Sequence, residues 1–508
     1  MNRRRARRLS ALAASTALCA LYATGRAPWQ WLGWFAFVPW LVDLDAAEDA
    51  RTALLDAWLF TVSFTAAAFW WLPVVIHRYT SVPLAACWAV HLGLAPLLEP
   101  QFIAYAAARR YGGPAAGVLA YAGVEWLFPK LLADTFGHGL YPSGDIRQVA
   151  DLGGVPLLTL LLLCANEALA FAARERRRRS AALAAATCAA VILAPALYGH
   201  LRRAQLAAES GPTLTAGLVQ TNLTRYRDLA AREGTFGAVE HVLDAYQALS
   251  SKLAAREPLD VLVWPETAYP ATFGAPRSDD GAELDARLEN LATGLFVPLL
   301  FGTYDEAEGR EYNAAVLLAP GGARLGEYRK VHLFPLTERV PPWLERARPL
   351  MPWMGTWTPG AGASVLHLPL RAGGSAAIAP LICYDAMDAS LAASARRLGA
   401  QAFLTLSNDS WFEGSPAAEL HLTGAAFRSI ETRLPQGRVT PSGVTASISR
   451  AGDILLRADA DRPAAVIAEL ALASTGSLTP AARWGPWLGP TSLLGAVAVL
   501  LWRRLRHR

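Results

Sequence analysis

Apolar residues gather into long runs early in the chain and break into short, strand-sized stretches after it. The early runs are Leu12–Tyr22, Trp29–Val42, Leu54–Ile76, Val82–Ala107, Pro114–Leu132, Val155–Ala173 and Ala181–Tyr198. A helix needs about 20 apolar residues to cross a bilayer, and most of these runs approach that length. The pattern therefore predicts about seven membrane-spanning helices, the first two shortened or paired as a hairpin. One further run, Trp484–Trp502, predicts a C-terminal span.

From about Pro212 to Ser477 the period changes. Apolar β-type stretches such as "LTAGLVQTNL", "LDVLVWPET", "SAAIAPLICYD" and "QAFLTLSND" alternate with amphipathic helical patterns such as "AVEHVLDAYQALSSKLAAR" and "SLAASARRLGA". Buried strands separated by helices predict an α/β domain with a mixed sheet. The expected organisation is a membrane domain over 1–205, a catalytic domain over 206–480, and a C-terminal transmembrane helix with a basic tail over 481–508.

Composition agrees with that division. Of 508 residues, 53% are hydrophobic and only 18% charged, which is too apolar for an ordinary soluble chain. Basic residues cluster in "MNRRRARR", Arg109-Arg110, "RERRRR" (Arg174–Arg179) and the tail "RRLRHR". Lys and Arg accumulate in cytoplasmic loops. With the N-terminus inside, span parity puts all four clusters inside and Leu201–Arg483 outside. His77-Arg78 and Arg202-Arg203 run against this count. The net charge of +5 thus marks topology rather than nucleic-acid binding.

In open α/β sheets, chemistry collects beyond the carboxyl ends of strands. Three predicted strand ends carry reactive side chains: Glu266 in "VWPET", Cys383 in "LICYD", and Asn408-Asp409 in "LSNDSWF". Cys19, Cys87, Cys164 and Cys188 all fall within apolar runs, leaving Cys383 as the one cysteine of the α/β region. A lone strand-end cysteine is by default a small buried hydrophobe. A nucleophilic cysteine requires a base and an oxyanion donor. His332 and His421 are present, but Glu266 and Lys330 are the stronger candidates. Their ordinary alternatives are a strand-end cap and a surface lysine. No metal-ligand spacing, phosphate-binding glycine loop or nucleotide fingerprint occurs, so no cofactor is expected.

"VWPET" (Val263–Thr267), "YRKVHLFPLTERVP" (Tyr328–Pro341), "LICYD" (Leu381–Asp385) and "LSNDSWF" (Leu406–Phe412) resemble the nitrilase superfamily and its Glu-Lys-Cys triad. Spans before and after such a domain, with "EWLFP" (Glu125–Pro129) and Gln148–Leu169, resemble the apolipoprotein N-acyltransferase family over nearly the whole chain. The resemblance implies a multi-span helical membrane domain plus an αββα sandwich. It implies Glu266 as general base, Lys330 as oxyanion stabiliser and Cys383 as nucleophile. Glu338 would support the triad, and Tyr312, Asn313, Asn408 and Trp411 would line the pocket. It further implies a phospholipid acyl donor, an apolipoprotein acceptor, and a place in the bacterial inner membrane with the catalytic domain on the periplasmic side. No nucleic acid is expected as a partner, and a monomer is expected. The Trp-, Met- and Pro-rich stretch Pro341–Gly360 would form a lid or lipid-access arm.

The chain departs from the family pattern in four places. Asp385 stands where glutamate usually follows "CY". "TPSG" (Thr440–Gly443) replaces an Asn-Asn-Gly, Glu413 replaces a glycine, and Leu229 lies near the place of a tryptophan. None of these removes a triad member. The departures keep alive a paralogue that acylates another amine. A membrane-anchored amidase would use the same triad with water as acceptor, though an anchor alone needs one span rather than seven. A scaffold with a decayed domain is the third alternative, opposed by the intact triad.

Overall fold

A computed structural model describes residues 3–506 except 129, 131–132, 176, 210, 225, 277, 336, 341–344, 347, 350–352, 354 and 461. The chain forms two compact units, one of residues 1–208 with 484–508 and the other of residues 209–483.

The first unit is helical. Among the described residues, Val155–Glu175 and Arg178–Ala208 are each long and apolar enough to cross a membrane. Ala50–Ala68 and Leu72–Thr80, bent by 63° at a short break, make a third such stretch together. The expected Trp29–Val42 span is not one helix. It divides into a 3-10 turn over Trp29–Trp34 and a helix over Val38–Leu44 of 7 residues, about 10 Å long against the roughly 30 Å of a hydrocarbon core. Asn166 explains how so short a segment stays buried. Its side chain accepts from the Phe37 N–H at 2.7 Å and donates to the Gly33 carbonyl at 2.8 Å, satisfying backbone groups the break leaves open. The Gln101–Leu127 helix is interrupted at Gly113, whose φ of 78° precedes Pro114. Gly123 lets the C-terminal Leu488–Arg506 helix approach closely, since a Cβ there would lie 2.7 Å from Leu493 Cα.

The second unit is a four-layer αββα sandwich. One sheet contains β1 (Thr213–Gln220), β2 (Val261–Val263), β3 (Leu299–Ala307), β4 (Arg310–Leu318) and β5 (Arg324–Arg329). The other contains β6 (Leu366–Pro369), β7 (Ser375–Ile382), β8 (Ala402–Leu406), β9 (Gln436–Val439), β10 (Ala446–Ile448) and β11 (Ile454–Arg457). β12 (Ala464–Ala471) returns to the first sheet beside β1. The sheet orders are β12-β1-β2-β3-β4-β5 and β11-β10-β9-β8-β7-β6.

Strand alternation sorts the side chains between layers. In β2, Val261 and Val263 join Ile378, Leu404 and Leu406 between the two sheets. Leu262 and the following Trp264 face the other way, into a cluster with Leu243, Tyr246 and Leu288 of the helices Tyr226–Ala254 and Asp279–Leu295. The helices Ala389–Arg397 and Ala417–Thr432 follow β7 and β8, the strands of the second sheet. β1–β3 run parallel, as do β7–β9, so two sets of carboxyl ends carry the loops described next.

Candidate active site

Glu266 and Cys383 both leave parallel strands through tight exits. After β2, the Trp264 ring is stacked 4.9 Å from Tyr246 and its indole N–H donates to Ser250 Oγ at 2.9 Å. This fixes the outward side of the exit and turns Glu266 inward, where it is buried. Thr267 behind it takes a φ of 56°. At the end of β7, Cys383 itself takes a φ of 49°. Left-handed backbone is costly for a residue with a side chain and persists only where the surroundings impose it.

Lys330 stands between two carboxylates. Its Nζ donates to Glu266 Oε1 at 2.9 Å and to Glu338 Oε1 at 2.9 Å. Asn313 Nδ2 adds bonds to the same two oxygens, at 2.8 Å and 3.2 Å. The Asn313 carbonyl accepts from the Lys330 N–H at 2.8 Å, and Glu338 Oε2 accepts from the Phe334 N–H at 2.7 Å. Burial alone would lower the Lys330 pKa, but Glu266 and then Glu338 hold it well above its usual value, so it is an ammonium. An ammonium has three donors; two are engaged by Glu266 and Glu338. Among the described residues, Glu266 Oε2 accepts no hydrogen bond, leaving one carboxylate oxygen open to take a proton.

Cys383 is within electrostatic reach of this cluster. Burial, and next Glu266, push its thiol well above the usual value, against the pull of Lys330. Cys383 therefore rests as a neutral thiol, and attack by its sulfur would require a base to take the proton.

Asp385 ties the nucleophile turn to the lysine loop. It accepts from Tyr328 Oη at 2.7 Å and from the backbone N–H groups of His332, Val331 and Ile382 at 2.7, 3.2 and 3.2 Å. Burial raises its pKa to about 6 despite these donors. The shorter Asp385 side chain at this position is fully committed.

The remaining sequence candidates divide. Asn313 is in the cluster. Tyr312, its neighbour on β4, is not, because strand alternation turns it to the opposite face, where Arg329 lies 4.2 Å over its ring. Asn408 Oδ1 accepts from the Ser410 N–H and hydroxyl at 3.2 and 2.6 Å, just ahead of the 3-10 turn Ser410–Phe412. Trp411 sits on that turn, 36% exposed. Much of the Pro341–Gly360 arm lies outside the described residues. Its Trp357 ring packs 4.6 Å from Tyr304, beside Glu266.

One group was not assembled by sequence reasoning. His421 Nε2 donates to the Cys383 carbonyl at 3.0 Å, while Nδ1 lies 3.0 Å from Asp409 Oδ1. Arg438 Nη2 donates to both Asp409 oxygens at 2.9 and 2.7 Å. Burial would raise the Asp409 pKa, but Arg438 and His421 hold it far below the usual carboxylate range. Arg438 is the signal available beforehand: a charged residue within a buried strand needs a partner.

Residues 215–479 match the carbon-nitrogen hydrolase family, and residues 16–168 match the apolipoprotein N-acyltransferase N-terminal domain. An apolipoprotein N-acyltransferase of Azotobacter vinelandii is 31% identical over 479 residues, covering 90% of this chain and 87% of that protein. The chain belongs to the apolipoprotein N-acyltransferase family. A second apolipoprotein N-acyltransferase, from Geobacter metallireducens, is 28% identical over 448 residues, or 83% of this chain and 82% of its own length. Similar solved structures include a carbon-nitrogen hydrolase from Helicobacter pylori, 17% identical, covering 58% of this chain and 95% of that chain with a TM-score of 0.38. An amidase from Nesterenkonia sp. AN1 is 18% identical, covering 50% and 92% with a TM-score of 0.36.

Proposed function

We propose that the chain moves a fatty acyl group from a membrane phospholipid, through a thioester on Cys383, to the free amine of a diacylglyceryl-cysteine at a lipoprotein N-terminus. The observation that carries this reading is the buried Lys330 ammonium clamped between Glu266 and Glu338, with the thiol of Cys383 in its field. Glu266 Oε2 takes the thiol proton as Sγ bonds to the ester carbonyl carbon. The third Lys330 donor meets the tetrahedral oxyanion, and one such preorganised donor is worth ~10²–10³ in kcat. The carbon–oxygen bond to glycerol breaks, Glu266 returns the proton to the alcohol, and a lysophospholipid leaves. The acceptor amine then attacks the thioester, an amide forms, and the proton it loses passes through Glu266 back to Sγ. Asn313 and Glu338 position Lys330 and Glu266 throughout.

The helical unit is the membrane domain, embedded in the bacterial inner membrane, with the basic clusters inside and residues 209–483 on the periplasmic side. Two lipid substrates explain why one chain joins these units. All the side chains of the cluster come from one chain, which supports action as a monomer.

Intact-protein mass spectrometry after incubation with phospholipid alone tests the reading. Wild type should gain a hydroxylamine-sensitive fatty-acyl mass, and Cys383→Ala should not. An unmodified wild type, where an Azotobacter vinelandii relative forms the adduct, would overturn it.

A further inference from the structure

One atom of the Lys330 cluster has no part in holding the cluster together. Asn313 Nδ2 donates to Glu266 Oε1 at 2.8 Å and to Glu338 Oε1 at 3.2 Å. Carboxylate oxygens accept and do not donate, so the amide nitrogen must face them and the amide cannot turn over. The other arm of the amide, Oδ1, is thereby fixed in place. It is buried, and among the described residues no donor reaches it. An acceptor enclosed without a donor costs stability, and a catalytic role is one of the few reasons for a native site to keep one.

Glu266 Oε2 is a second open acceptor in the same cluster. Two carboxylates around one ammonium also leave one negative charge in excess. The site is therefore rich in acceptors and short of hydrogens. A donor ester supplies none at its reacting carbonyl, and the thiol has a single hydrogen, which Glu266 takes. An N-terminal amine does supply them. Once its ammonium has released one proton to solvent, the neutral amine keeps two N–H groups. One hydrogen leaves during attack. The other has to be held somewhere, and holding it fixes the direction of the nitrogen lone pair.

We propose that Asn313 is an acceptor-binding residue, whose Oδ1 accepts from the attacking amine and so selects primary amines. The inference rests on the acyl-transfer reading above. As the amine attacks the Cys383 thioester, the carbon–nitrogen bond forms and the carbon–sulfur bond breaks. One amine proton passes through Glu266 Oε2 to Sγ. The hydrogen held by Asn313 stays on nitrogen and becomes the N–H of the product amide. A secondary amine has one hydrogen, which Glu266 takes, and nothing remains for Asn313.

The test uses full-length protein loaded with the acyl group from phospholipid and freed of lysophospholipid. Wild type and Asn313→Ala are then mixed with a diacylglyceryl-cysteine lipopeptide carrying a primary amine or its N-methyl form. Asn313→Ala should slow loading and transfer alike, because Lys330 and Glu266 serve both steps. It should slow transfer to the primary amine about tenfold more, the worth of one hydrogen bond. The N-methyl form should show no such extra loss. Asn313→Asp, which keeps an acceptor oxygen, should recover part of the preference for the primary amine. Equal losses in loading and in transfer to both amines overturn the proposal and leave Asn313 a positioning residue alone. If Asn313→Ala loads too slowly to follow, binding is measured on Cys383→Ala, which cannot react. Adding Asn313→Ala should then weaken the primary-amine lipopeptide about tenfold and leave its N,N-dimethyl form, with one N–H to give, unchanged. Equal weakening of the two would overturn the proposal as well. A wild type that forms no thioester removes the acyl-transfer reading itself, whereas a wild type that loads beside an unselective Asn313 removes this inference only.

Discussion

At the residue scale, Asp385 and His421 do for Cys383 what the cluster partners do for Lys330. Asp385 must be ionised to accept four donors at once. Its pKa of about 6 therefore sets an acid limit on activity. Cys383 acylation should rise through pH 6 and level off above it, and Asp385→Asn, which turns an amide N–H₂ toward backbone donors, should lower it by about 10–100-fold. A rate independent of pH between 5 and 7 would remove Asp385 from this role. The stability effect has the opposite sign. A carboxyl whose folded pKa is raised binds more protons folded than unfolded, so this group's contribution to stability falls as pH rises from about 4 to 6. His421 acts through the backbone. Because a carbonyl can only accept, Nε2 carries the proton it gives to Cys383. Replacing it with Leu should slow acylation by about tenfold at unchanged lipid KM. His421→Gln, which keeps a donor, should recover part of the rate. Equal losses in the two variants would mean that bulk, not the hydrogen bond, is what counts.

At the scale of elements, the exits of the strands were legible and the partners brought to them were not. "VWPET" and "LICYD" announce themselves because an apolar run ends in a titratable group, which is a local pattern. The pairing of Asp409 with Arg438 and His421 joins a strand end, a strand interior and a helix, and no spacing encodes it. Tyr312 lies apart from the Lys330 cluster for a simpler reason: it and Asn313 are neighbours on a strand and point to opposite faces. The Trp29–Val42 run misled because apolar content does not register a chain break, and Asn166, which makes that break tolerable, lies far along the sequence. β3 shows how tightly an element can constrain an exit. A Cβ on Gly302 would lie 2.5 Å from the Pro265 carbonyl oxygen and 2.6 Å from Glu266 Cα. Gly302→Ala should cost about 1–3 kcal/mol by overpacking, roughly 2–4 °C of melting temperature per kcal/mol. It should also lower acylation more than that loss of fold explains, because what must move is the base. Wild-type acylation and melting would show that the exit can relax without displacing Glu266.

At the scale of the whole molecule, the proposed chemistry requires the two units to occupy different compartments. The proposed reading puts the acceptor amine outside the cytoplasm, whereas Arg-rich segments between helices are the kind of charge that holds loops inside. Two exposed positions report the two sides. Arg177 lies between the helices Val155–Glu175 and Arg178–Ala208 with 80% of its side chain exposed, and Asp459 lies between β11 and β12 with 83% exposed. Native cysteines mostly sit in the helical unit, and Cys383 is partly buried, so an added surface thiol should dominate labelling. In intact spheroplasts a membrane-impermeant maleimide should modify Asp459→Cys at once and Arg177→Cys only after permeabilisation. The reverse order would place Cys383 in the cytoplasm, opposite to the proposed side, and would undo the proposed acceptor even if the thioester on Cys383 formed. Equal labelling at both positions would mean that the residue 177 loop is not held inside, and the basic clusters would then no longer fix the topology.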